Sequence, residues 1–73
     1  MTVDRWIPVR RKANGKHYDD RGICSDNLTD LKRRVKAWDT TIQRLTGKQA
    51  DTVVEYVVAE FEDYSGRILA SYL

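Results

Sequence analysis

The sequence predicts a small α+β domain, with an N-terminal β-hairpin or extended arm, one long amphipathic helix and a C-terminal β-hairpin. Three observations predict it. Asn14-Gly15 is a hairpin-turn dipeptide, because both residues tolerate positive φ. Leu28, Leu31, Val35, Trp38, Ile42 and Leu45 recur at alternating spacings of 3 and 4, one apolar helical stripe. From Thr52 to Phe61 the chain is dense in Val and Tyr, which suit a pleated surface.

The first element runs through Val3-Asp4-Arg5-Trp6-Ile7-Pro8-Val9-Arg10, an aromatic and β-branched stretch. Pro8 has no backbone N–H to donate, so it is expected at an edge strand or in an extended arm. Residues 1–12 therefore read as a basic arm within a single domain of residues 1–73. After the turn at Ala13-Asn14-Gly15-Lys16, the return segment to Tyr18 is polar and weakly specified. Gly22-Ile23-Cys24 is a candidate short strand.

The helix is expected over residues 27–46. Ser25, Asp26 and Asn27 are all N-cap residues, and Asn27 with Asp30 resembles a capping box with a short acid. Asp26 and Asp30 favour the positive end of the helix dipole, and Arg44 the negative end. Gly47 is the expected stop. Trp38 lies within the stripe and is expected in the core.

The last segment reads in two ways. As a hairpin, Asp63-Tyr64-Ser65-Gly66 turns the chain, and Phe61, Ala59 and Val57 face Ile68, Ala70 and Tyr72. As a helix, the same stretch leaves Gly66 and the β-branched run unexplained, and the glycine costs about 1 kcal/mol. The hairpin is the preferred reading.

Composition excludes several classes. Seventy-three residues do not make a two-domain enzyme. No run approaches the roughly 18 apolar residues that cross a bilayer. Thr2, Asp4 and Arg5 follow Met1 without an apolar stretch, so no secretory leader is expected. The one cysteine, Cys24, points to a reducing, cytoplasmic setting.

Catalysis has little to work with. His17 and Cys24 are the only His and Cys, so a zinc site would need carboxylates or a second copy. Gly47-Lys48 lacks the first glycine and the Ser/Thr of a phosphate-binding loop. Asp19 with Asp20, and Glu62 with Asp63, are strand neighbours that point to opposite faces. No enzyme activity, catalytic residue, metal or cofactor is expected.

Charge is the informative feature. The net charge of +2 combines +3 over residues 1–25, +3 over 26–48 and −4 over 49–73. Arg5, Trp6, Arg10, Arg11, Lys12 and Lys16 form a basic stretch with one aromatic, suited to an acidic protein groove with Trp6 as anchor. The same stretch suits phosphates and stacked bases. Lys32, Arg33 and Lys36 form a second basic set on the helix, read first as a solvated face.

In its length of 73 residues, its lone domain and its opening Arg5-Trp6-Ile7-Pro8-Val9-Arg10-Arg11-Lys12, the chain resembles the small transcription regulators of Xanthomonas phages. The resemblance implies a non-catalytic protein that binds host RNA polymerase, shuts off initiation and acts as an antiterminator. Two other expectations stand beside it. One is a nucleic-acid-binding module using the basic stretch and the helix face. The other is a homo-oligomeric assembly or toxin–antitoxin component pairing through its Val/Tyr-rich strands.

Overall fold

The computed structural model describes residues 2–62, which form a three-stranded antiparallel sheet and one helix. Strand β1 is Thr2–Arg11, β2 is His17–Asp19, α1 is Leu28–Thr46 and β3 is Thr52–Glu62. The sheet order is β2-β1-β3. The expected α+β class holds, and over Thr52–Glu62 the helical alternative is overturned by β3. The turn at 63–66 and the return strand of the C-terminal hairpin lie outside the described residues.

Local signals act as chemistry requires. Gly15 takes φ +89°, and its N–H donates to Lys12 O at 2.9 Å, closing the β1–β2 turn. Asn27 Oδ1 accepts from Asp30 N at 2.9 Å, which caps α1. Gly47 ends the helix at φ +71°, with its N–H on Gln43 O at 2.8 Å.

One expectation is corrected. Residues 2–11 are not an arm, and Pro8 is not on an edge. β1 is the central strand, and its stretch from Ile7 to Arg10 is buried on both pleats. The strand tolerates Pro8 because of where the missing donor points. Trp6 N donates to Ser25 O at 2.7 Å, and Trp6 O accepts from Ser25 N at 3.1 Å. Alternation by two aims Pro8's nitrogen to that same side, away from β3. There Pro8 O accepts from Asp20 N at 2.9 Å, so only a donor is lost. β3 keeps its pairing along β1, from Thr2↔Glu62 to Arg11↔Thr52. The register shifts once, where Val9↔Glu55 gives way to Arg10↔Val53, leaving Val54 as the extra residue of a bulge.

Among the described residues the buried apolar side chains are Ile7, Pro8 and Val9 from β1 and Leu31 and Val35 from α1. Trp38 is corrected too, since it is 56% exposed, and Leu45 is 77% exposed. The 3-4 spacing averages 3.5 residues, while the helix turns every 3.6, so Leu31, Trp38 and Leu45 slip about 20° per heptad. The sheet covers the Val35 side of the stripe and leaves its other margin bare.

Leu31→Ala is expected to lower stability by about 2–5 kcal/mol in urea unfolding, because it empties a fully buried site. Leu45→Ala is expected to stay within about 0.5 kcal/mol. Equal losses at both sites would contradict the core assigned here.

The helix start makes a second prediction. Asp30's carboxyl is held below its ordinary range by Arg33 first and then by the Ser25 hydroxyl. A lowered folded value gives stability that is present above the ordinary carboxylate range and lost as pH falls through the lowered one. The melting-temperature gap between the parent chain and Asp30→Asn should therefore narrow as pH falls below the ordinary carboxylate range of about 4. A gap that does not change with pH would remove Asp30 from this role.

Candidate functional site

The most connected side chain in the described structure is Arg10. It lies on the pleat of β1 that faces the helix and is 3% exposed. Its Nε donates to Asp20 Oδ2 at 2.7 Å. Nη1 and Nη2 donate to the two oxygens of Asp39, each at 3.0 Å. Nη1 also donates to the backbone oxygen of Asp51 at 2.8 Å. The planar fork matches Asp39 in a two-pronged pair, which an ammonium cannot reproduce. Burial alone lowers the pKa of a guanidinium, but the bonds to Asp39 and Asp20 outweigh it and raise the value.

Tyr18 stands opposite Arg10 on β2 and extends the network, donating to Asp51 Oδ2 at 2.8 Å. Burial first, and then this bond to a carboxylate, hold its hydroxyl above the ordinary range. Among the described residues, no buried side-chain nitrogen or oxygen lacks a partner. Arg10 is therefore committed inside the fold and leaves the set of expected partner contacts. Its burial was not visible in a run of basic residues. The one signal was Asp39, which sits four residues after Val35 and so on the inward side of the helix.

The other expected contacts separate. Trp6 is half-buried in mid-strand and bridged to Ser25, so it is not a free anchor on an arm. Arg5 is half-buried opposite Ala59. Arg11, Lys12 and Lys16 are exposed together at the turn end of β1, where Arg11 pairs with both His17 and Thr52. Lys12 Nζ lies 5.5 Å from the Tyr18 ring centroid, a cation–π contact that keeps the charge in place. Lys48 precedes Thr52 by four residues, so the basic end of α1 arrives at the same end of the sheet.

The opposite end gathers acids, with Arg5 next to Asp4 in the strand and Arg21 over the Phe61 ring at 5.0 Å. Asp4 stands across from Glu60, and Thr2 across from Glu62. Eight residues of strand separate Asp4 from Lys12, about 26 Å. Among the described residues, Arg11, Lys12 and Lys16 thus lie toward one end of the sheet and Asp4, Glu60 and Glu62 toward the other, with Arg5 and Arg21 among the acids.

The second basic set divides as well. Arg33 pairs with Asp30 at 2.9 Å on the exposed helix surface. Lys32 and Lys36 line a cleft of about 310 Å³ between α1 and the start of β3, with Gln43, Gln49 and Tyr56. Lys32 Nζ lies 5.7 Å from the Tyr56 ring centroid. No group of three or more His, Cys, Asp or Glu side chains able to hold a metal ion occurs among the described residues. Nor is any helix among them long and apolar enough to cross a membrane.

Arg10→Ala is expected to cost about 3–5 kcal/mol, because it strands two part-buried carboxylates. Arg10→Lys should recover only part of the loss, since it cannot hold Asp39 with two prongs. Lys12→Ala, two residues away and exposed, should stay within about 0.5 kcal/mol. Denaturation midpoints check all three, and an Arg10→Ala variant as stable as Lys12→Ala would remove Arg10 from its central place.

Comparison of the chain with protein-family models, with curated proteins and with solved structures finds no match, so its functional reading rests on its own residues.

Proposed function

We propose that the protein is a non-catalytic regulator that docks through its cationic end on an acidic protein surface, with bacterial RNA polymerase as the partner. The observation that carries the reading is the separation of charge along the sheet. Arg11, Lys12 and Lys16 gather at one end, and Asp4, Glu60 and Glu62 at the other. Such a dipole steers an approaching acidic surface to one end and repels it from the other.

The choice of a protein partner over nucleic acid follows from the same layout. A nucleic-acid strand is a continuous polyanion and extends past a cationic tip. Here it would meet Asp4 and Glu60 about 26 Å farther along the strand. An acidic patch on a protein is finite and need not reach that far. The choice of polymerase rests on the resemblance carried by Arg5-Trp6-Ile7-Pro8-Val9-Arg10-Arg11-Lys12, and with it go inhibition of initiation, antitermination and a place in the bacterial cytoplasm.

Titration of purified bacterial RNA polymerase with the labelled chain tests this. Reversing Arg11, Lys12 and Lys16 to Glu should weaken binding about tenfold or more, with a slower on-rate, while Asp4→Asn leaves it intact. No polymerase binding, or binding indifferent to the reversals, would overturn the proposal. A duplex or single-stranded probe bound tightly at low salt and lost steeply with added salt would replace it with the nucleic-acid reading.

A further inference from the structure

We infer that the Trp38–Leu45 face of α1 is a docking site for an amphipathic helix with acidic flanks, carried by another protein. Trp38 is 56% exposed and Leu45 77% exposed. They stand two turns apart on one margin of the helix, the spacing by which helices seat against one another. A large aromatic side chain left in water is unusual for a small domain, and Trp beside Arg is the composition of interface hot spots.

The charge around this face selects the occupant. Arg34 lies one turn before Trp38 with its guanidinium on Cys24 O at 3.0 Å, Arg44 adjoins Leu45 in sequence, and Lys48 follows the Gly47 stop just past the helix end. The only acidic residues of α1 are Asp30 and Asp39. Asp39 is held by Arg10, and Asp30 by Arg33 at 2.9 Å with Arg34 at 3.8 Å. Asp30 thus offsets Arg34 in part, and among the described residues of α1 no acid is left beside Arg44 and Lys48. A second copy of this chain is a poor occupant. Antiparallel pairing centred between Trp38 and Leu45 sets Arg34 of one copy beside Lys48 of the other, and parallel pairing sets Arg34 on Arg34 and Arg44 on Arg44. Glutamates or aspartates flanking an apolar stripe fit in either direction.

This face is distinct from the cationic turn, and the test keeps the two apart. The isotope-labelled chain is titrated with two designed helical peptides that share leucines at i, i+4 and i+7. One carries glutamates beside the leucines and the other lysines. The glutamate peptide should shift amides within residues 34–48, and the lysine peptide should bind at least about tenfold more weakly. Trp38→Ala and Leu45→Glu should each weaken the glutamate peptide about tenfold or more with the rest of the spectrum unchanged. Reversing Arg11, Lys12 and Lys16 should leave peptide binding intact, whatever it does to polymerase binding. If Trp38→Ala does not fold, Leu45→Glu decides alone. Equal binding of both peptides, binding of neither, or shifts centred on residues 11–17 would overturn the inference. So would a dimer of the chain alone that Leu45→Glu dissociates in sedimentation.

Discussion

Four segments of the chain meet at one guanidinium. Arg10 brings the central strand to the turn after β2 through Asp20, to the helix through Asp39 and to the loop entering β3 through the Asp51 carbonyl. Among the described residues the buried apolar side chains are few: Ile7, Pro8, Val9, Leu31 and Val35. Apolar burial is non-directional and would accept several angles between helix and sheet. Hydrogen bonds from a rigid fork accept one. A buried ion pair adds little net stability over a well-packed apolar substitute, yet breaking one side leaves an uncompensated charge worth several kcal/mol. Arg10 therefore acts as a constraint on geometry. It fixes how the helix lies, and hence which margin of the helix the sheet covers.

That constraint also sets the surface. Arg10, Asp20 and Asp39 together carry −1, so against a chain total of +2 the remaining side chains carry +3. Removing the triad from the surface takes one cation from the basic stretch and an anion from the helix. The helix is left cationic toward its C-terminus, and the turn end of β1 keeps Arg11, Lys12 and Lys16. The helix surface owes part of its sign to Asp39 folded inward, whereas the turn stays cationic through Arg11, Lys12 and Lys16 despite the loss of Arg10.

What was legible in the sequence was local. The Asn27 cap, the Gly47 stop and the Asn14-Gly15 turn each depend on residues within four positions of one another, and each is found as read. β3 was readable as a strand because Val and Tyr act on their own backbone. What stayed hidden depends on distant pairing. Pro8 signals an edge only if the lost donor would have faced a partner strand, and here it faces the opening between the Ser25 bridge and β2. Arg10 reads as one more exposed cation until Asp39, 29 residues on, is brought to it. Trp38 sits in the apolar stripe, but periodicity tells which residues share a side of the helix and not how wide the sheet beneath them is. With β2 only three residues long, that sheet is narrow.

The dipole itself is a product of topology. Had β3 run parallel to β1, Glu60 and Glu62 would lie toward Arg10 and Arg11, and the two charge sets would offset each other along one ladder. The antiparallel register instead puts Thr52 and Val53, which are uncharged, beside Arg11 and Arg10, and sends the acids to Asp4. Asp4 facing Glu60 is a like-charge pair, an arrangement that costs about 0.2–1 kcal/mol. The residues nearby moderate it only in part. Thr2 Oγ1 reaches Glu60 Oε1 at 3.4 Å, and Arg21 donates to the Glu60 backbone oxygen rather than to its carboxylate. For a domain of this size, with roughly 0.05–0.15 kcal/mol of stability per residue, that penalty is a noticeable fraction of the whole. A single lysine at position 4 would relieve it and would also shorten the separation between the two charged ends. The like-charge pair at Asp4 and Glu60 is thus a consequence of the antiparallel register, which trades that cost for keeping the acids away from Arg10 and Arg11.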